Sequence, residues 1–273
     1  MELKNTAPRH VHLLERVNAT TEGEKLPLLH ITATGIARSI LLTGRMEARP
    51  CKFFKQKLLY FFFGRPAYRM RGEDEKSDQI TRSPFVFLLD ADHVIPKYVF
   101  PFDSGAALAG KYSGEDPTLA LSDYELEASI EGARKHLNWA FDGIDDYLSG
   151  RLKQDILEDV EDYESSTRGY VTIAQQATKT INSPDLYDDR AAAIEISSEK
   201  NVDLKAAVNL AIVPKQYLEG SSGKENTEIL DALKLNEIDT MEYDWQAYRD
   251  PTDIREEINI LVRKHYKNLG LIE

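Results

Sequence analysis

Glu195 is the residue whose sequence position most strongly suggests chemistry. It lies in the apolar run 191–196 and has an isoleucine on each side. An acid in such a run is typical of a carboxylate fixed on a rigid strand. An isolated charge is costly to bury, so the carboxylate is either paired or used in a reaction. Glu199 is a rival acid, but Ser198 and Lys200 beside it favour an exposed turn.

His30 and Thr32 form a second candidate pair. Side chains alternate along a strand, so both lie on one face if residues 27–33 form the predicted strand. Each can hydrogen-bond a ligand. A core histidine that donates to a backbone carbonyl is the alternative interpretation.

Arg65 follows an aromatic run at residues 57–63 and stands between Gly64 and Pro66. This abrupt turn fixes Arg65 at a strand end, where a guanidinium can hold a phosphate with two hydrogen bonds. Tyr60 and Tyr68 can stack on a planar ring. The alternative is an ordinary buried aromatic strand followed by surface arginines.

Asp103 and Ser104 lie in the turn 100–105 and can contact a ligand, although simple turn chemistry is the favoured interpretation. Asp90, Asp92 and His93 resemble a metal cluster, but no further His or Cys stands at ligand spacing. We therefore expect a loop there and no metal site.

The elements that position these residues follow from the apolar pattern. Strands are predicted at residues 27–33, 57–63, 84–90, 169–174, 191–198 and 204–214, with short extended pieces at 94–102. Helices are predicted from residue 36 to Gly44 and at 122–141, 147–161, 230–235 and 254–269, the last ended by Gly270. Residues 1–25, 72–83 and 178–190 are expected to be irregular. The mixed order predicts an α+β fold with a split mixed sheet, flanking helices and an acidic helical insertion.

Composition adds a marked charge asymmetry. The chain has 273 residues, 42% of them hydrophobic, and a net charge of −12. Residues 36–71 nevertheless carry nine basic side chains and a single acid, while residues 115–164 carry fifteen acids and four bases. The basic segment can meet a polyanion or a diphosphate, and a solvated basic face is an equal alternative. The acidic segment is a solvated face or a surface for an inhibitory partner.

Several classes of protein are disfavoured. The longest apolar stretch, residues 58–63, is too short to span a bilayer, and residues 1–5 lack an apolar signal segment. Cys51 is the single cysteine, so an internal disulfide is excluded. We expect a cytoplasmic protein without a membrane partner.

These motifs in order resemble the ADP-ribosyltransferase superfamily, and within it the DarT group of nucleic-acid-modifying toxins. The resemblance rests on His-x-Thr, Ile-Leu-x-x-Gly, an aromatic strand running into Arg-Pro, and a late Arg-x-x-x-x-Glu. It covers residues 26–71 and 186–214. The DarT group usually has an asparagine near the arginine, where this chain has Gly64.

The resemblance implies a single domain, with residues 26–112 and 169–218 as the catalytic core and 115–165 as the insertion. It implies NAD as co-substrate, Glu195 and Arg65 as catalytic residues, and an acceptor-recognition loop at 178–189. Further NAD-binding residues would be His30, Thr32, Tyr60, Tyr68 and Arg190.

The expected activity is cleavage of NAD and transfer of ADP-ribose to DNA or RNA, as in a toxin or anti-phage effector that an antitoxin restrains. Ala193 stands where transferases that modify protein arginine have a first glutamate, which disfavours an arginine acceptor. A protein-directed transferase, an NAD hydrolase and a non-enzymatic nucleic-acid-binding module are the alternatives.

Overall fold

The computed structural model describes residues 1–68, 76–114, 116–178, 188–220 and 222–273. The strands are β1 (Leu28–Ala33), β2 (Arg45–Met46), β3 (Arg49–Pro50), β4 (Lys57–Phe63), β5 (Pro84–Leu89), β6 (Tyr98–Phe100), β7 (Glu195–Ser198), β8 (Val202–Asp203), β9 (Val208–Pro214) and β10 (Asp239–Tyr243). The helices are α1 (His12–Asn18), α2 (Thr34–Thr43), α3 (Ser104–Leu108), α4 (Ile130–Ala140), α5 (Ile144–Ser149), α6 (Ser165–Ala174), α7 (Leu204–Ala207), α8 (Lys215–Leu218), α9 (Thr227–Leu235) and α10 (Pro251–Asn268). This mixture of helices and strands confirms the predicted α+β class.

Two compact units make up the chain, and each is assembled from three separate segments. The first unit comprises Met1–Leu26, Arg49–Ala67 and Ile95–Glu199. The second comprises Pro27–Ala48, Tyr68–Val94 and Lys200–Glu273.

In the first unit, β7 lies between β4 and β6 and is antiparallel to both, and β3 pairs with β4. The helix α1 packs against α4 and α6, and it buries Leu13 and Val17 completely. Residues 1–25, expected to be irregular, therefore contain a core helix. Two apolar residues spaced four apart are enough to fix so short a helix, since they form one buried stripe.

In the second unit, β1 and β9 are each antiparallel to β5, while β10 is parallel to β9. The sheet of this unit is therefore mixed. The helix α2 ends at Gly44, which has the left-handed φ of 65° that glycine adopts without strain. The sequence predicted the end of α2 at Gly44, the strands β1, β4 and β5, and the helix α10. It did not predict β10.

The predicted strand at 169–174 is wrong, because these residues belong to α6. The helix buries Tyr170, Val171 and Ile173, so its apolar residues run continuously and match the pattern of a buried strand. Gly169 lies directly against the hydroxyl of Tyr124, where any larger side chain would clash. The glycine thus serves close packing of a helix.

The predicted helices of the acidic segment are too long. The first begins only at Ile130, after Ser129 caps its amino terminus. The second, predicted at 147–161, runs instead over Ile144–Ser149, because Gly150 takes a left-handed conformation with φ 72° and stops it. Acid-rich composition alone did not indicate these ends.

The strand predicted at 191–198 begins only at Glu195. Asp189–Ala192 forms a 3-10 turn, and the side chain of Asp188 caps it by accepting from the backbone N–H of Arg190. Similarly, α7 occupies the start of the strand predicted at 204–214, since Asp203 caps that helix. The late strands are not partners of one another: β9 lies between β5 and β10.

Among the described residues, none of the helices has both the length and the apolar character that a bilayer span requires.

Candidate active site

Glu195 lies on the central strand of the first unit and faces two aromatic side chains. It is directly opposite Phe62 of β4 and Phe100 of β6. Opposite residues of antiparallel strands point to the same face of a sheet. The acid is therefore flanked by an aromatic ring on each side.

The next row on the same face repeats this arrangement. Ser197 is opposite Tyr60 on one side and Tyr98 on the other. Tyr60, Phe62 and Tyr98 are only half-buried. This face of the sheet thus combines one acid, one hydroxyl and a set of accessible rings.

The other face of the same strands is core. Phe61, Val99 and Ile196 are opposite one another and at most 1% exposed. The alternation predicted from the sequence separates the two faces, and it puts Glu195 on the face that carries the half-buried rings, here called the open face.

Ser104 holds the carboxylate of Glu195. Its hydroxyl donates to Glu195 Oε1 in a short hydrogen bond. Ser104 is the first residue of α3, and Asp103 before it caps the helix by accepting from the backbone N–H of Ala106 at 2.7 Å. The turn that was interpreted as simple turn chemistry therefore also delivers a hydroxyl to the acid. Only its unusual sequence, 100–105, signalled this role.

The electrostatics of Glu195 favour its neutral form. Burial raises the pKa of Glu195 well above its ordinary value, and the negative charge of Asp103 raises it further. The hydrogen bonds from Ser104 act in the opposite direction. A positive charge brought near this carboxyl would favour its ionised form.

Arg190 joins the turn before β7 to the start of α3. Its Nε and Nη2 atoms donate to the two oxygens of Asp188 at 3.0 and 2.8 Å, and Nη1 donates to Asp103 Oδ2 at 3.1 Å. Three of the five guanidinium hydrogens are therefore engaged within the protein. This geometry favours a role in positioning the loop.

Tyr60 points its hydroxyl at the single cysteine. It donates to Cys51 Sγ at 3.0 Å, which fixes the ring on the open face. Burial raises the pKa of Tyr60, and the hydrogen bond to Cys51 and the charge of Glu195 raise it further. Tyr60 therefore stays a neutral ring beside the acid.

Arg65 is buried at the end of β4, only 4% exposed. Its Nη1 atom donates to the carbonyl of Ala192 at 3.4 Å, and among the described residues it has no carboxylate partner. Gly150 allows the guanidinium to lie close, since a Cβ there would be 2.9 Å from Nη2. A buried cation without an acid is expensive unless it meets an anion or a strong dipole.

Tyr147 of α5 connects the two strands beside Arg65. Its hydroxyl donates to the carbonyl of Phe63 and accepts from the backbone N–H of Ile194 at 3.2 Å. This buried hydroxyl therefore links the end of β4 to Ile194, the residue immediately before β7. The acidic segment therefore contributes directly to the support of the site.

The remaining predicted site residues belong to the second unit. His30 and Thr32 lie on one face of β1, as predicted, opposite Phe87 and Phe85 of β5. The ring of His30 stacks on Phe87 with centroids 6.4 Å apart. Tyr68 lines a small cleft of about 50 Å³ with Trp245 and two arginines, Arg82 and Arg249.

Glu199 has the surroundings of a surface residue. Its side chain is 44% exposed, and it pairs with Lys97 at 3.5 Å. The prediction of an exposed turn fits this position. Most of the predicted acceptor loop, 178–189, lies outside the described residues, which resume at Asp188.

Comparison with known proteins gives a structural match and no sequence match. No protein-family model matches the chain, and no curated protein matches it. The structure is similar to that of DarT from Thermus sp. 2.9, solved in complex with carba-NAD+, at 13% sequence identity and a TM-score of 0.35. The match covers 80% of this chain and 96% of that one. That protein belongs to the group that the sequence motifs resemble.

Proposed function

We propose that the chain is a mono-ADP-ribosyltransferase that cleaves NAD and transfers ADP-ribose to single-stranded nucleic acid, as a toxin or defence effector would. The observation that carries the proposal is the placement of Glu195. It is a buried acid, held by Ser104, between two aromatic rings on the open face of a sheet. Few reactions need an acid in such surroundings, and cleavage of a positively charged glycoside is one.

The chemistry follows from the charge that develops at the ribose. Breaking the nicotinamide–ribose bond sends the bonding electrons to nicotinamide and leaves positive charge at C1′. The carboxylate of Glu195 stabilises that charge, and the approaching positive charge in turn favours its ionised form. The acceptor atom then attacks C1′ and gives its proton to Glu195 or to solvent.

The aromatic rings have two tasks in this proposal. Tyr60 and Phe62, which are half-buried, offer flat surfaces for the nicotinamide ring. They also exclude water from C1′, which protects the positively charged ribose from attack by water.

Arg65 is assigned to the negative part of NAD. A buried guanidinium that lacks an acid partner among the described residues suits the diphosphate, which can accept two hydrogen bonds from it. His30, Thr32 and Tyr68 are assigned to the same co-substrate by the sequence resemblance, and Arg190 is assigned to positioning the loop.

Nucleic acid is the proposed acceptor for two reasons. Residues 36–71 carry a net charge of +8, in a chain that is acidic as a whole. Ala193, two residues before Glu195, lacks the carboxyl that would assist a guanidinium acceptor.

The test incubates NAD labelled on the adenylate with single-stranded DNA, RNA or protein lysate. We expect label on nucleic acid with the wild-type chain, and a loss of at least a hundredfold with Glu195→Gln. Glu199→Gln is the matched control, because it removes an exposed acid four residues away. Transfer that survives in Glu195→Gln contradicts the site. Release of nicotinamide at one rate with or without any acceptor would indicate a hydrolase.

A further inference from the structure

A cavity of about 170 Å³ lies at the outer edge of the first unit, beside β6. Its walls include Phe54, Gln56, Tyr98, Phe100 and Glu125. Every described element around it belongs to the first unit. None of the roles assigned above uses this space.

The aromatic side of the cavity is already organised for stacking. Phe54 lies on Tyr98 with centroids 5.1 Å apart and planes 28° from parallel, and Tyr98 in turn stacks on Phe100. Rings held by one another present flat surfaces at little entropic cost. A planar ring can extend this stack.

The polar side of the cavity offers both hydrogen-bond donors and acceptors. Gln56 donates through Nε2 to the hydroxyl of Tyr98 at 2.9 Å, which orients its amide group. Glu125 also lines the cavity, and burial raises the pKa of its carboxyl group, against the influence of Arg9, Lys4 and Lys97. An oriented amide and a half-buried carboxyl recognise the hydrogen-bonding edge of a heterocycle.

Lys4 also lines the cavity, and Arg9 and Lys97 act on the same carboxyl. The lining therefore combines one lysine and one carboxyl group with an aromatic wall. Together these features are typical of sites that stack a base and pair with its phosphate.

The lining of the cavity sets it apart from the acid. Glu195 does not line it, and Phe100, which does, is opposite Glu195 on the neighbouring strand, about one strand spacing of 5 Å away. An attacking atom must come within about 3–3.5 Å of the reacting carbon. A ring in this cavity is close to the reaction but takes no part in it.

We propose that this cavity binds an unmodified nucleobase next to the acceptor nucleotide, and that it selects bases with an exocyclic amino group. The proposal rests on the function proposed above for its biological meaning. The amino group donates to Glu125, the ring stacks on the aromatic wall, and Gln56 accepts from or donates to the neighbouring ring edge. Adenine, cytosine and guanine satisfy this requirement, whereas thymine and uracil do not.

The test measures binding without NAD, so that it stands apart from catalysis. Fluorescently labelled oligonucleotides of one length, oligo-dA, oligo-dC and oligo-dT, are titrated against the wild-type chain at fixed salt. We expect oligo-dA and oligo-dC to bind at least fivefold more tightly than oligo-dT. Adenosine monophosphate is then added as a competitor at equal base concentration. Displacement of the oligonucleotide would mean that the cavity takes a free nucleotide, and no displacement would mean that it takes a base within a strand.

Phe54→Ala is expected to weaken oligo-dA about tenfold, because a stacking partner is lost. Phe53→Ala is the matched control, since Phe53 is adjacent and does not line the cavity. Glu125→Gln is expected to reduce the preference over oligo-dT without abolishing binding, which loss of folding would not do. Equal binding of all three oligonucleotides, or equal effects of the Phe53 and Phe54 variants, overturns the proposal.

NAD cleavage and ADP-ribose transfer are measured as a second test, independent of the binding experiment. If Phe54→Ala cleaves NAD at the wild-type rate but loses its sequence preference in transfer, the inference is supported. If neither the wild-type chain nor any variant cleaves NAD but the base preference persists, the proposed reaction is contradicted while the proposed base site is supported.

Discussion

Ser104 and Glu195 are 91 positions apart in sequence, yet the hydroxyl of the first donates directly to the carboxyl of the second. The hydrogen bond favours the ionised form of an acid that burial and Asp103 otherwise keep neutral. Ser104 thus sets how much of the carboxylate is available at a given pH.

Ser104→Ala is expected to lower kcat about tenfold and to move the acidic limb of the pH–rate profile to higher pH. The carboxylate loses a hydrogen bond that lowers its pKa, so a higher pH is needed to ionise it. The measurement is NAD cleavage from pH 5 to 9, with Ser39→Ala, an exposed serine of α2, as control. A lower rate with an unmoved limb would assign Ser104 a purely structural role.

Glu195→Gln is expected to inactivate the protein and also to stabilise it at high pH. The pKa of Glu195 is higher in the folded state than in the unfolded state, so stability is lost as pH rises through the folded pKa and the buried carboxyl ionises. The amide keeps the acceptor for Ser104 without the charge. A gain of about 1 kcal/mol in unfolding free energy is expected at pH 8 and none below pH 4.5, measured by urea denaturation. Equal stability of the two proteins at pH 8 would argue against the buried charge.

Gly150→Ala is expected to be far more harmful than Gly110→Ala. Both glycines have a left-handed φ, 72° and 64°, so both alanines bear similar backbone strain of about 1–2 kcal/mol. A Cβ at 150 additionally meets Ala177 at 2.8 Å and both terminal nitrogens of Arg65, whereas a Cβ at 110 meets nothing within 4 Å. The excess loss of stability and the loss of NAD affinity, read by thermal unfolding and calorimetry, then measure the displacement of Arg65. Equal losses in the two variants would refute this packing.

His136 is expected to make the first unit sensitive to mild acid. The imidazole is fully buried, neither ring nitrogen has a hydrogen-bond partner among the described residues, and burial lowers its pKa to about 3. Between about pH 6.5 and 3 the unfolded chain therefore binds a proton that the folded chain does not. The free energy of unfolding then decreases by up to about 1.4 kcal/mol for each unit by which the pH is lowered. His136→Leu should reduce that slope relative to the wild type in denaturation at pH 5 and pH 7. An unchanged slope would show that other groups control the acid response.

The sequence predicted a strand at Glu195 because an alternating pattern indicates which side chains share a face. It could not predict that Ser104 reaches Glu195, since that contact joins distant segments and depends on where α3 begins. Likewise Tyr147, in a segment notable only for its acids, connects Phe63 to Ile194 through its hydroxyl. Local patterns identify elements, whereas such contacts come from packing.

Two of the errors in the fold have one physical source. Residues 169–174 and 204–207 are segments too short for the pattern to distinguish helix from strand, and tertiary burial decided both. By contrast, α2 and α10 were predicted because their periodicity and terminal glycines agree.

The two-sided pairing of β7 has a consequence for how sequences of this kind can change. Deleting or inserting one residue between Asp188 and Glu195 would rotate the strand by one position, so that Ile196 or Ile194 would face the ligand and the acid would enter the core. The length of this short segment is therefore as constrained as the identity of the acid. Natural variation in chain length should instead accumulate between Gly150 and Glu164, where no regular strand or helix depends on the count.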